Sequence, residues 1–327
     1  MTKLQLSGIF TSVIGSFTLN DSESNRKRCV EDQLAISLDF PAYPQLTEMG
    51  PQFLNDLVKH DSGIQLEKSR YKLSRKTIEY NGPPLGLEPF FWGEKYLQKK
   101  GLTSKVSLKA PITGPFTLAS YIKIKQGMFP FNTAASDLNL VRQIAEILTK
   151  SCEAASKTAS IISIDEPILS VLVGAKTAFG YQEKDIISIY DNFKKSCGGK
   201  IVGTHICGRI SPKLAGILLE TELDFLSHEF YDMPQNIKIY SPEKIREKEK
   251  MLSVGCLSTK NPRIESPEEI FRLMKQFSDY KEALIFTPDC GFRKLLLGNL
   301  DIKEAYEISL FKLRNMVEAL KKFKAYY

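Results

Sequence analysis

The sequence predicts an α/β fold, and within that class a (β/α)8 TIM barrel. Three observations carry this. At least six short apolar runs with strand character alternate with helical stretches, and an N-terminal run adds another. A length of 327 residues suits a barrel of about 250 residues plus insertions. Side chains able to do chemistry follow the apolar part of several different runs: Ser16, Asp165, His205, Cys207, Glu229 and Cys290. A closed barrel gathers such strand ends on one face, whereas an open sheet disperses them. An open doubly wound sheet is the alternative. No GxGxxG turn follows an early strand, which weakens its dinucleotide-binding form.

The elements follow in order. Residues 4–17 alternate apolar and small polar side chains and close on Ile14-Gly15-Ser16-Phe17, a strand running into a loop with Ser16 at its end. Residues 26–38 read as helical or irregular. Between 39 and 103, Pro41, Pro44 and Pro51, then Pro83, Pro84 and Pro89, favour turns and a covering loop or small helical insertion over regular staves. VSLKAPITGPFTLAS (106–120) is a strand entering a Pro/Gly loop, and residues 140–159 have helical periodicity. ASIISIDEPIL (159–169) is a strand ending on carboxylates, followed by a helix over 183–197. KIVGTHICG (200–208) is a strand, 211–221 a helix with Pro212 in its first turn, and LDFLSHEFYD (223–232) a strand. MLSVGCLS (251–258) and ALIFTPDCG (283–291) are strands flanking a helix at 266–280. Residues 301–327 form a long amphipathic helix with Asp301 as its cap and lysines toward its end.

Composition bounds the function classes. With 43% hydrophobic residues the chain can build a sizeable core without disulfides or a metal. No apolar span approaches the roughly 18 residues of a membrane helix and no cleavable leader pattern opens the sequence, so a cytoplasmic protein without a membrane partner is expected. One catalytic barrel domain over 1–327, with an irregular insertion at about 39–103, is the expected organisation. Six widely spaced cysteines imply reduced thiols. The net charge of +7 is spread over clusters such as Arg26-Lys27-Arg28 with no recognition module beside them. Nucleic-acid binding is therefore not expected, while an anionic cofactor or a protein partner is compatible.

The stretch Thr204-His205-Ile206-Cys207-Gly208 carries the metal chemistry. His205 and Cys207, two positions apart, point to the same side of an extended chain and offer nitrogen and sulfur to one ion. Glu229 and Cys290, each after an apolar run, are the candidates to complete the set. His228 and Glu229 are adjacent and face opposite sides of a strand, so either is able to supply the remaining ligand. Mixed S, N and O ligation favours zinc over magnesium or calcium. Cys29, Cys152, Cys197 and Cys256 read as small buried apolar residues.

Seven strings then carry a family likeness: IGSF (14–17), TGPFT (113–117), IDEP (164–167), HICG (205–208), HE (228–229), NPRI (261–264) and PDCG (288–291). In this order, over nearly the whole chain, they resemble the catalytic C-terminal half of cobalamin-independent methionine synthase. The resemblance implies a (β/α)8 barrel with Zn2+ on His205, Cys207, Glu229 and Cys290, which resolves the His228 or Glu229 alternative. It implies homocysteine as methyl acceptor, its carboxylate held by Ser16 and its ammonium by Asp165 with a further acid from an earlier segment, for which Glu79, Glu88 and Glu94 are candidates. Two departures concern the donor side. Lys260 stands where longer members have a proton-donating histidine, and Tyr121 where they have a tryptophan that packs on the pterin. The chain also lacks their second, N-terminal barrel, and short relatives are thought to take methyl groups from a methylated corrinoid such as methylcobalamin or from its carrier protein. Methyltetrahydrofolate is the alternative donor. A uroporphyrinogen decarboxylase-like zinc methyltransferase acting on another thiol such as coenzyme M, and a non-catalytic metal-stabilised barrel, are the competing readings.

Overall fold

The computed structural model describes residues 7–281, 283–298 and 300–326. The start of the expected N-terminal strand, residues 4–6, lies outside them. Seven parallel strands form the main sheet: β1 (Gly8–Thr11), β4 (Ala110–Thr113), β6 (Ile161–Asp165), β7 (Ile201–Ile206), β8 (Phe225–Glu229), β9 (Met251–Gly255) and β10 (Ala283–Thr287), in the order β1-β10-β9-β8-β7-β6-β4. β2 (Ile64–Glu67), β3 (Arg70–Leu73) and β5 (Ile122–Lys123) make a separate small sheet.

The helices are α1 (Glu23–Ile36), α2 (Met49–Lys59), α3 (Glu88–Lys99), α4 (Pro115–Tyr121), α5 (Leu138–Ser156), α6 (Leu169–Leu172), α7 (Glu183–Ser196), α8 (Pro212–Glu220), α9 (Pro242–Glu247), α10 (Pro267–Met274) and α11 (Ile302–Tyr326). Three begin on the same local signal, a serine followed by proline. Ser211, Ser241 and Ser266 each accept a backbone N–H of the first turn, while the proline fills a position whose N–H has no helical partner. Ser266 and Glu269 complete a capping box.

The strands are apolar on both faces because helices cover one side and the other points inward. Ile161, Ile201, Phe225, Met251 and Ile285, from five successive strands, meet Phe10 of β1 and Phe40 in one inner cluster. The sheet therefore curls strongly enough to bring its first strand against its middle, giving an α/β barrel-like fold. Between β1 and β4 the prolines at 41 and 44 prevent a continuous ladder, since proline has no N–H to give. Residues 40–45 nevertheless bridge both neighbours in parallel: Phe40 to Ser12, Ala42 to Lys109 and Gln45 to Ser16. The span 39–103, expected to hold turns and a covering loop or small helical insertion, contains the helices α2 and α3, and adds to them these stave-like bridges and the strands β2 and β3. No described helix is long and apolar enough to cross a membrane.

Candidate metal centre

Because the seven strands are parallel, their C-terminal ends share one edge, and the chemistry predicted from sequence collects there. His205 sits near the end of β7, buried, with Nδ1 3.1 Å from Ser227 Oγ on β8; that hydroxyl in turn accepts from Ser253 Oγ on β9 at 3.0 Å. This serine row follows the ladder register, His205 opposite Ser227 and Ser227 opposite Ser253. It fixes the imidazole so that Nε2 faces Cys207 Sγ at 3.1 Å. Cys207 Sγ lies 2.9 Å from Cys290 Sγ, and the donor atoms of His205, Cys207 and Cys290 all fall within 4.8 Å of one another. The hydrogen bond from the Cys207 thiol holds Cys290 well below the usual thiol range, with His205 and Lys294 adding to the effect against burial. The same bond, with burial, pushes Cys207 up, so the pair shares one proton. One nitrogen and two sulfurs, closely spaced, with His205 and Cys290 buried and Cys207 half-buried, are a donor set suited to zinc.

Glu229 is not part of that triplet. Its carboxylate, on fully buried Glu229 at the end of β8, accepts from Lys260 Nζ at 2.9 Å and Lys294 Nζ at 3.3 Å. Lys294 connects the two groups. Burial pulls its pKa down, but the facing Cys207, Cys290 and Glu229 charges outweigh this and raise it. Burial likewise lowers Lys260, and the Glu229 hydrogen bond more than reverses the effect. His228 faces the other side of the strand, between the Ile206 carbonyl and the Tyr240 hydroxyl, and burial depresses it to about 3 so that it stays neutral.

A cavity of about 190 Å³ opens over the triplet. Ser16, Asp165 and Tyr121 line it, as do Gln45, Glu48, Met49, Arg293 and Lys294. Asp165 is held by Ser163 Oγ at 2.6 Å, and burial, partly offset by His205, Lys109 and Ser163, lifts it to about 6. Glu166 turns away from the cavity. Its carboxylate takes the N–H groups of Phe116 and Thr117 and the Thr117 hydroxyl, at 2.9, 2.7 and 2.6 Å, anchoring the start of α4. A Cβ on Gly114 would sit 2.3 Å from that carboxyl carbon, which explains the glycine of TGPFT. A Cβ on Gly291 would lie 1.9 Å from Ser16 Oγ, so the glycine after Cys290 admits the Ser16 hydroxyl to the site.

The acid from this early segment that lines the cavity is Glu48, at the N-cap of α2, which sequence reasoning missed. Glu79, Glu88 and Glu94 lie elsewhere: Glu79 accepts from Thr77, Glu88 pairs with Arg26, and Glu94 borders a separate cleft. The signal for Glu48 was available in TEMGP, a helix start just after the proline-rich bridge. Arg293, Lys294 and the buried Lys109 were also missed. The first two follow PDCG after one phenylalanine, Phe292, and Lys109 reads locally as an ordinary flank of a strand.

A curled parallel α/β sheet carries at its C-terminal edge a His/Cys/Cys cluster able to hold a metal ion and a cavity lined by two acids and two bases, an arrangement of the barrel type. Residues 93–322 match the family described as the cobalamin-independent synthase, catalytic domain. The chain is 30% identical over 252 residues to a methionine synthase of Methanocaldococcus jannaschii, covering 74% of this chain and 72% of that protein. It is 26% identical over 343 residues to one of Methanothermobacter marburgensis, covering 96% and 100%. The structure of a B12-independent methionine synthase from Shewanella sp. W3-18-1 in complex with selenomethionine has the same fold, with a TM-score of 0.70 at 16% identity over 97% of this chain and 99% of that one. The chain belongs to the cobalamin-independent synthase family.

Proposed function

We propose that this protein is a zinc-dependent methyltransferase that moves a methyl group onto the thiol of L-homocysteine to give L-methionine. One observation carries the reading: the cavity lined by His205, Cys207 and Cys290 is also lined by Asp165, Glu48, Ser16 and Arg293, groups that suit a small zwitterion. The methionine synthases among its relatives point the same way.

In this reading His205, Cys207 and Cys290 hold the zinc and Glu229 is the fourth protein ligand. Bound there, zinc lowers the pKa of an incoming thiol and keeps it a thiolate near neutral pH. Lys260 and Lys294, on Glu229, balance the negative charge of two thiolates and a carboxylate. That role suits Lys260 better than donor-side proton transfer, since its ion pair holds its proton more tightly. Asp165 and Glu48 take the ammonium, Ser16 and Arg293 the carboxylate, and the sulfur is thereby aimed at the methyl donor. The sulfur lone pair forms the S–CH3 bond as the donor–CH3 bond breaks and the donor keeps that pair. The donor we favour is a methylated corrinoid, free or on a carrier protein, with 5-methyltetrahydrofolate as the alternative; Tyr121, 42% exposed at the cavity, packs on its ring system. We also read residues 40–45 as the eighth stave, closing the barrel.

The test is a panel of methylcobalamin, a methylated corrinoid protein and methyltetrahydrofolate with the zinc protein, offering homocysteine or coenzyme M. Methionine formation that Asp165→Ala abolishes while zinc is retained is the expected result. Turnover with coenzyme M alone sinks the proposal. The Asp165–Glu48 pair disfavours that acceptor, because both carboxylates would face a sulfonate.

A further inference from the structure

The loop after β9 is exposed in its middle and buried at both ends. Residues 260–264 face solvent, whereas Ser258, Thr259 and Glu265 are 1%, 0% and 1% exposed. From this exposed stretch the Lys260 ammonium reaches the fully buried Glu229 at 2.9 Å. A lysine on a surface loop gives up many rotamers by staying on one carboxylate, and a loose backbone beneath it would add to that loss.

Glu265 removes the looseness. One of its carboxylate oxygens accepts the Ser258 N–H at 3.1 Å, so the two buried ends of the loop are joined across it. The Ser258 hydroxyl accepts the backbone N–H groups of Lys260 and Asn261, at 3.1 and 3.2 Å, and donates to Asp232, in the turn after β8, at 2.7 Å. This serine turn fixes the backbone from which the Lys260 side chain starts. The other oxygen of Glu265 accepts from Lys312 Nζ, on α11, at 2.7 Å. Lys312 also donates to the Arg263 carbonyl, and the Asn315 amide to the Glu265 carbonyl at 2.7 Å, so α11 holds the returning limb of the loop.

The Lys312–Glu265 pair is completely buried, and such a pair is a weak source of stability because desolvation offsets the attraction. Burial outweighs the pull of Glu265 and lowers the pKa of Lys312. The geometry it imposes explains the pair better: one carboxylate presents an acceptor to Ser258 and another to Lys312, and the loop is held at both limbs. Neither Ser258, Glu265 nor Lys312 lines the cavity or belongs to the His205, Cys207 and Cys290 triplet.

We infer that Glu265, held in place by Lys312, is a positioning residue: through Ser258 it sets the backbone that keeps Lys260 on Glu229. Its consequence for turnover rests on the methyl-transfer reading, in which Lys260 balances the charge of the zinc ligands, and two readouts keep the two apart. Trace acetylation of the zinc protein with acetic anhydride, each lysine followed by peptide mass spectrometry, reads the contact itself, since an amine held in an ion pair reacts slowly. Lys312→Met combined with Glu265→Leu removes the pair and the acceptor for Ser258. It should speed acetylation of Lys260 roughly fivefold, the strength of a half-exposed ion pair, and leave Lys294, which reaches Glu229 from the loop after β10, unchanged. Lys312→Met combined with Glu265→Gln also removes the ion pair but keeps an oxygen for Ser258, and should leave Lys260 protected. Ser258→Ala keeps the buried pair and should release Lys260. In steady-state assays the first double variant should raise the homocysteine KM by about the same factor with kcat nearly unchanged, and should add nothing in a Lys260→Met background. Lys260 equally protected in all three variants, or equally released by both double variants, overturns the inference. A wild type that makes no methionine from any donor, with Lys260 responding as expected, overturns the methyl-transfer reading and leaves the positioning role standing.

Discussion

Lys109 → Met separates stability from function in a way that can be measured. Lys109 is 2% exposed, and its ammonium donates to the Val13 carbonyl at 2.7 Å. Burial pulls it down from 10.5 to about 8, against the opposing pull of Asp165. At about 1.4 kcal/mol per pH unit, keeping it charged at pH 7 costs the fold about 3 kcal/mol. Methionine fills similar space without the charge, and leaves the Val13 carbonyl without its donor at a cost of about 1–2 kcal/mol. The variant should therefore be about 1–2 kcal/mol more stable at pH 7, a rise of about 2–4 °C in Tm. Between pH 8 and 10.5 the unfolded chain binds more protons at this lysine than the native one, so wild-type stability gains with pH in that window. The variant lacks that gain, and its advantage should vanish near pH 9.5 by the same arithmetic, roughly. Because Lys109 also helps to keep Asp165 ionised, its loss moves Asp165 above about 6 and weakens homocysteine binding at pH 7, with recovery toward pH 8. Urea unfolding at the two pH values and KM against pH test both halves. A variant equally destabilised at pH 7 and pH 9.5, with an unchanged KM profile, would refute the reasoning.

Other consequences are sharper in kind. Cys207→Ser and Cys290→Ser should each lose zinc and, in the cobalt-loaded protein, the sulfur-to-metal absorption, whereas His228→Gln should keep both because that ring faces Tyr240; metal analysis and visible spectra decide. Gly291→Ala places a methyl 1.9 Å from Ser16 Oγ and should raise the KM for homocysteine at least roughly tenfold with zinc retained, by displacing that hydroxyl. Glu48→Gln should raise KM more than it lowers kcat, since the exposed acid touches only the amino-acid end in our reading; an unchanged KM would remove Glu48 from the ammonium site.

The second half of the molecule was legible because its strands are short apolar runs with helix signals between them: the expected strand at 200–208 contains β7 and the expected helix at 183–197 contains α7. His205 and Cys207 were readable from a two-residue alternation on one strand. The region between 39 and 103 was not, because its stave-like part is three bridges made by a proline-interrupted segment, and such pairing depends on partners at Ser12, Ser16 and Lys109 far away in sequence. Glu48, Arg293 and Lys294 escaped for a related reason. They reach the cavity from loops and a helix start, where no periodicity announces direction. The triplet came together as expected, while the carboxylate of Glu229 is engaged by two lysines whose position no local pattern encodes.

The doublets in the motifs have a common physical explanation. In Asp165-Glu166, His228-Glu229 and Asp289-Cys290, neighbouring side chains diverge at or just beyond the end of a strand, so Asp165 and Cys290 line the cavity, Glu229 meets Lys260 and Lys294, and the other of each pair finds partners in the wall. Glu166 takes two backbone N–H groups and a hydroxyl at the start of α4. Asp289 takes the N–H groups of Phe230, Tyr231 and Asp232, at 3.0, 3.0 and 2.6 Å, and so pins the turn after Glu229 to the strand end that carries Cys290. His228 bridges a β7 carbonyl and Tyr240. Each wall residue ties its strand end to a neighbouring segment, and the spacing of the donor atoms of His205, Cys207 and Cys290 is held by these ties. Asp289→Asn is then a positioning change: one of its oxygens becomes an amide that cannot accept, the turn after Glu229 loosens, and zinc affinity should fall although no donor atom is altered. Competition with a chelator of known affinity measures this, and an affinity equal to the wild type would show that the strand ends hold their spacing without the clamp.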